Sequence, residues 1–177
     1  MTHARLTERI QAKLRQIEDH PLPGITFQDI TPVLQDGALF RQVTGALGEA
    51  FLGESITHVA GIEARGFILA SPVAVALGAG FIPLRKPGKL PWTTLRHDYD
   101  LEYGQDALEA HTDACPAGSR VLIVDDVLAT GGTAAAAGRL IESAGGLVVG
   151  WAFLLAIRGL GGRQRLGPAP VRVLLEP

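Results

Sequence analysis

The chain has 177 residues, 47% hydrophobic and 19% charged, with a formal net charge of -2 and a single cysteine, Cys115. That length fits one domain with ample core. The charge gives no basis for non-specific binding to nucleic acid or to an anionic membrane. One cysteine cannot close an internal disulfide, and the first residues carry scattered charges in place of a signal-peptide apolar block, so the expected location is the cytoplasm.

Leu6, Ile10, Leu14 and Ile17 recur at helical spacing with charges between them, which predicts an amphipathic first helix stopped near Pro21, with a packing role. Asp36 is placed to cap a second helix reaching Phe51, followed by a short strand over 57–62, a helix from Gly66 and a strand over 80–85. The interval 66–84 has no charge and approaches the ~20 residues of a membrane span, but Pro72, Gly78, Gly80 and Pro83 divide it into a helix and a strand. From Lys86 to Asp106, Pro87, Gly88, Pro91 and Gly104 interrupt a polar, aromatic-dotted stretch too long for a quiet connection. Long loops of this kind are commonly lids, so the start is expected to be flexible, with a hairpin from about 96 to 111. Residues 147–157 read as a buried strand and 171–175 as a short final one. Strands alternating with helices predict an α/β fold on a parallel sheet, with no repeat and no linker over 1–177.

The densest signal is Val121-Leu122-Ile123-Val124-Asp125-Asp126-Val127-Leu128-Ala129-Thr130-Gly131-Gly132-Thr133. Its unalternating apolar start predicts a strand buried on both faces, which delivers two carboxylates to the sheet edge where ligands of open α/β sheets bind. Thr133 is the expected N-cap of a helix through Ala144, ended by Gly145 and Gly146. The turn lacks the lysine of a P-loop and the glycine spacing of a dinucleotide fold. Adjacent carboxylates repel a bare phosphate but accept hydrogen bonds from vicinal ribose hydroxyls. The amides and hydroxyls of Ala129, Thr130, Gly131, Gly132 and Thr133 suit a phosphate. Together they indicate a ribose 5-phosphate unit; the bland alternative is a solvated acidic turn before an ordinary helix.

This stretch resembles the 5-phosphoribosyl-1-diphosphate (PRPP) motif of the type I phosphoribosyltransferases. The segments Pro23–Ile30, Gly61-Ile62-Glu63-Ala64-Arg65-Gly66-Phe67, Arg85-Lys86-Pro87-Gly88-Lys89-Leu90-Pro91 and Tyr99-Asp100-Leu101-Glu102-Tyr103-Gly104, in that order, resemble the adenine-using members. The resemblance implies a mainly parallel central sheet flanked by helices, with a mobile lid loop and a small hood. It also implies transfer of the phosphoribosyl group to adenine N9, giving AMP and pyrophosphate in purine salvage. The expected cofactor is Mg2+, bound mainly through PRPP and with no direct protein ligand; five scattered histidines make no site. A homodimer is expected as well.

By the same resemblance, Asp125 and Asp126 hold the ribose, residues 129–133 the 5-phosphate, and Arg65, Arg85 and Lys89 the pyrophosphate. In the family a strained peptide aims amides at the diphosphate, and Ala64–Arg65 occupies that place here. Thr26, Phe27 and Gln28 match the adenine segment, with an aromatic ring on the purine; Gln28 stands where relatives commonly carry a basic residue. Glu102 is the candidate general acid/base. Trp92, in the lid, has no assigned role.

Each residue also has a plainer reading: a capping surface arginine at Arg65, solvated cations at Arg85 and Lys89, a core ring at Phe27, and a solvated hairpin carboxylate at Glu102. A PRPP-binding regulator and a transferase for another base are competing functions. No DNA-binding segment is read ahead of the fold and no basic surplus marks an RNA-binding face.

Overall fold

The computed structural model describes residues 3–101 and 104–177. Helix α1 (His3–Lys13) buries Leu6 and Ile10, but it is shorter than the apolar spacing predicts. Ile17 lies instead in β1 (Arg15–Ile17), which pairs antiparallel with β2 (Phe27–Asp29) in a small ribbon outside the main sheet. Pairing with a distant segment here overrides helical periodicity. A short α2 (Thr31–Gln35), with Pro32 in its first turn, precedes α3 (Gly37–Glu49). As expected, the Asp36 carboxylate caps α3, accepting the Leu39 N–H at 3.0 Å.

Strand β3 (His58–Ile62), helix α4 (Arg65–Leu77) and strand β4 (Gly80–Leu84) realise the expected strand–helix–strand unit. Helix α4 runs through Pro72 and stops only at Gly78, whose φ of +63° suits a left-handed cap. Pro72 therefore sits within the helix, where the sequence reading used it as a divider. Strands β5 (Thr94–Leu101) and β6 (Gly104–His111) form the expected hairpin. Then come β7 (Arg120–Leu128), α5 (Gly132–Ser143), β8 (Leu147–Ala156), a 3-10 turn over Gly162–Arg165 and β9 (Val171–Leu175).

The main sheet has five strands in the order β4-β3-β7-β8-β9, all pairs parallel. Leu122 and Val124 of β7 pack into a core with α1, α3 and α4, while Val121 and Ile123 pack on the other side with α5 and the β5–β6 hairpin. A strand covered on both faces has no solvent side, which is why its sequence shows no alternation. Among the described residues, no helix is long and apolar enough to cross a membrane.

The hairpin is tied to the chain after β4 by a polar cluster. Lys86 Nζ donates to Tyr99 Oη at 2.9 Å and pairs with Asp106, and Tyr99 Oη donates to Asp106 Oδ2 at 3.0 Å. Burial raises the Asp106 carboxyl, but hydrogen bonds from Lys86, the Ala107 N–H and Tyr99 outweigh it and leave the group below its ordinary 3.8. Burial also opposes the Lys86 ammonium, but Asp106 and Tyr99 hold its pKa above the ordinary 10.5. A depressed carboxylate contributes stability above its unfolded value and loses it as pH falls through the folded value; a raised ammonium contributes below its unfolded value and loses it as pH rises through the folded one. Thermal unfolding followed from neutral pH down to about pH 3 should therefore show an acid limb that is shallower in Asp106→Asn; identical limbs would remove this cluster from the stability account.

Candidate active site

On the β3 side, pairing with β7 ends at Gly61–Val124, whereas on the β8 side it runs on through Leu128–Ala156. The carboxylates thus lie inside β7, two and three residues before its end, at the point where β3 leaves the sheet and the sheet opens. The chain leaving β3 turns through Glu63 and Ala64 into α4, and the Glu63–Ala64 peptide is cis. This corrects the expectation that the unusual peptide is Ala64–Arg65.

Glu63, Arg65, Lys86, Asp125, Asp126 and Thr133 line one cavity of about 350 Å³ in this opening. Arg65 Nε stands 2.7 Å from Asp126 Oδ2, a close ion pair whose N–H is not aimed along a hydrogen-bond direction, so Oδ2 has no hydrogen-bond donor. Asp125 Oδ1 accepts the Asp126 N–H at 2.9 Å. It also lies 2.6 Å from the place a Cβ on Gly66 would take, so a side chain at Gly66 cannot fit without moving the carboxyl. Burial, and next the neighbouring Asp126 charge, push the Asp125 carboxyl well above the ordinary carboxylate range. Burial raises Asp126 too, and Arg65 offsets only part of it.

Residues Ala129 and Thr130 form the turn after β7, and Gly131, with φ of +81°, is the N-cap of α5. Helix α5 therefore begins at Gly132, and Thr133 is its second residue, not its cap; the cap is a glycine in left-handed geometry two residues earlier. Gly131 is also constrained from outside, since a Cβ there would lie 2.5 Å from the Gly162 carbonyl oxygen. The 3-10 turn after β8 thus buttresses this loop through backbone contact, a support that leaves no mark in side-chain pattern. Ala129 of the turn and Thr133 of the first turn of α5 line the cavity, and a helix start of this kind suits an anion.

The other predicted residues approach the cavity through these. Arg65 Cζ sits 5.0 Å from the centroid of the Phe27 ring, within cation–π range. Phe27 and Gln28 are half-buried in β2 and Thr26 is exposed just before it; Gln28 Oε1 is buried without a donor. Arg85 follows β4 and bridges to the hairpin through paired backbone hydrogen bonds with Glu109, 2.9 and 2.7 Å long. Its Nη1 donates to the Lys89 carbonyl at 3.0 Å, and its buried Nε has no acceptor. The intervening turn is pinned by the Gly88 N–H donating to Glu109 Oε2 at 2.9 Å. Glu63 meets this turn from the other side: Oε2 accepts the Lys86 N–H at 2.8 Å, and Oε1 stands 3.4 Å from Arg85 Nη2 and 3.8 Å from Lys89 Nζ. Glu102 and Tyr103, at the hairpin turn, lie outside the described residues.

Two site residues had no role in the sequence reading. Glu63 lies inside the Gly61–Phe67 motif without a chemical signature of its own, and Lys86 stands between two other cations, Arg85 and Lys89. Their adjacency to those cations was the available signal.

The phosphoribosyl transferase domain model matches residues 30–167. The adenine phosphoribosyltransferase of Thermobifida fusca is 57% identical over 165 residues, covering 93% of this chain and 94% of its own. The crystal structure of adenine phosphoribosyltransferase from Rhodothermus marinus superposes with a TM-score of 0.93 at 52% identity, covering 98% of this chain and 99% of that one. The Saccharomyces cerevisiae enzyme complexed with adenine and an imino-altritol bisphosphate gives a TM-score of 0.91 at 41% identity, covering 97% and 99%. Its parallel sheet, its opened β7 edge and these full-length matches agree: the chain belongs to the phosphoribosyl transferase family, among its adenine phosphoribosyltransferases.

Proposed function

We propose that this chain transfers the 5-phosphoribosyl group of PRPP to N9 of adenine, forming AMP and pyrophosphate in purine salvage, with residues 1–177 acting as one phosphoribosyltransferase domain. The observation that carries the reading is the pair of the half-buried Asp125 and the buried Asp126 at the sheet opening, in one cavity with Arg65 and with Ala129 and Thr133 of the loop that leads into α5.

In this reading Asp125 and Asp126 accept hydrogen bonds from the ribose hydroxyls, and the loop 129–133 with the α5 N-terminus holds the 5-phosphate. Arg65, Arg85 and Lys89 hold the diphosphate; the buried Arg85 Nε without an acceptor is a donor such an anion can use. As the C1′–O bond breaks, positive charge develops on the ribose ring and negative charge on the departing diphosphate, which these cations neutralise. Thr26, Phe27 and Gln28 take the adenine, with the Phe27 ring available for stacking. A backbone carbonyl accepting from the 6-amino group would select adenine over hypoxanthine, whose oxygen leaves that acceptor unpaired. Glu102 is the general acid/base toward adenine N7.

Magnesium suits this site. Asp126 Oδ2 is a hard carboxylate oxygen at the cavity that accepts no hydrogen bond, although Arg65 Nε lies 2.7 Å from it. The ion would be held mainly through PRPP, with Asp125 and Asp126 the carboxylates that would assist it. When bound it supplies charge neutralisation on the leaving pyrophosphate.

We assign the working form as a homodimer in the cytoplasm. Ile68 and Val75 of α4 and Phe81 of β4 are 43%, 82% and 37% exposed on a stretch without charge, which supports a face covered by a second copy. The lone Cys115 is buried, and burial raises its thiol.

Pyrophosphate release from PRPP, measured with magnesium and with adenine, hypoxanthine, guanine, xanthine or orotate, should occur with adenine, yielding AMP. Activity confined to another base would overturn the base assignment, and PRPP binding without turnover would favour a regulator. Glu102→Gln should lower kcat by about 100-fold or more, the scale of general acid–base catalysis, while PRPP affinity by calorimetry stays close to wild type. Unchanged kcat would remove Glu102 from proton transfer.

A further inference from the structure

Each cation assigned above to the diphosphate already has a carboxylate partner inside the protein. Arg65 pairs with Asp126 at 2.7 Å, whereas Arg85 and Lys89 share Glu63 at 3.4 and 3.8 Å. The ribose accounts for Asp126. Nothing in the reaction as described accounts for Glu63, a carboxylate only 14% exposed on the wall of a cavity that receives a polyanion.

Its placement is specific. The Glu63 N–H donates to the Leu84 carbonyl at 2.9 Å, which fixes the backbone at the end of β4. Oε2 is occupied by the Lys86 N–H at 2.8 Å, so Oε1 is the oxygen turned toward the two cations. The group is ionised at neutral pH: the Lys86 N–H holds its pKa below the ordinary value, burial opposes this, and Arg85 and Lys89 add to the lowering. Charge-assisted bonds at full strength are about 2.7–2.9 Å long. The contacts to Arg85 and Lys89 are well beyond that, so they gather the cations without saturating them and can be exchanged for phosphate oxygens.

We infer that Glu63 is a positioning residue acting through Arg85 and Lys89: its carboxylate keeps the two cations together at the lid root and competes with the diphosphate for them, thereby setting how tightly pyrophosphate is retained after transfer. The inference rests on the reading of Arg85 and Lys89 as diphosphate ligands. Its chemical reason is release. Cations that stabilise a leaving diphosphate also grip it as a product, and product release commonly limits turnover. A negative charge beside them weakens that grip by repulsion with the product and by offering the cations another partner.

The test is calorimetric titration of inorganic pyrophosphate, with magnesium present, into the wild type, Glu63→Gln, Glu63→Asp, Arg85→Gln and Lys89→Ala, together with kcat and KM for PRPP. The glutamine keeps an oxygen for the Lys86 N–H and loses the charge. It should bind pyrophosphate about tenfold more tightly, given the size of Coulomb terms at such distances, and lower kcat and KM together. Damage to the site alone would weaken pyrophosphate binding and raise KM. Glu63→Asp keeps the charge but withdraws it from Lys89, and should tighten binding by less. Glu63→Gln melting like the wild type yet binding pyrophosphate no better would overturn the inference. Should Glu63→Gln not fold, Glu63→Asp decides in the same way. Loss of affinity in Arg85→Gln and Lys89→Ala is expected; if both bind as wild type does, the diphosphate reading itself falls, separately from Glu63.

Discussion

The site depends on one mismatch in strand pairing. Strand β7 is held on its β8 side through Leu128 but loses β3 after Val124, so Asp125 and Asp126 are positioned by a rigid, doubly buried strand while one flank stands open. Had β3 continued, the opening that holds both carboxylates would be filled by ladder. Because β3 instead turns through Glu63 into α4, the same departure that opens the cavity brings Arg65 to within 2.7 Å of Asp126. The scaffold around it makes the arrangement stiff: apolar side chains of β7 pack into cores on both faces of the sheet. Precision in the site is thus a consequence of core packing, which discrete rotamers and close contact render resistant to drift.

The electrostatics follow a common scheme. Burying charge is costly unless it is paired; Glu63, Asp125 and Asp126 line the opening with Arg65 and Lys86, and Arg85 and Lys89 lie against Glu63 at its edge. Arg65 meets Asp126, and Arg85 and Lys89 meet Glu63. The contacts are graded, 2.7 Å at Asp126 against 3.4 and 3.8 Å at Glu63. Lys86 is drawn away from this set toward Tyr99 and Asp106, where it fastens the hairpin beside the site. A single lysine therefore connects the chain after β4 to both strands of the hairpin.

Much of this is legible in the residues. The run from Val121 to Thr133 announces a buried strand, acids and a phosphate-sized turn, because a strand covered on both faces must be continuously apolar and a close-approach turn must be glycine-rich. Asp36 is legible as a cap since capping is local. What escapes is non-local. Ile17 continues the helical spacing of Leu6 and Ile10 but is taken into a ribbon by pairing with Phe27. Gly131, not Thr133, caps α5, in part because the backbone at Gly162 crowds the loop. Pro72 stays within α4, although a local reading makes it a boundary. The cis peptide falls at Glu63–Ala64, one residue ahead of the place read from resemblance. Glu63 itself carries no local signature of its role, which exists only once β3 and the chain after β4 lie side by side.

We assign the ribose to the opened flank of β7, through Asp126. Calorimetric titration of PRPP with magnesium into the wild type and Asp126→Asn tests it most directly. A hydrogen bond to a charged group is worth about 1.5–3 kcal/mol, so affinity should fall by roughly 10- to 100-fold with the melting temperature little changed. A folded variant that binds PRPP as tightly as the wild type would move the ribose away from Asp126.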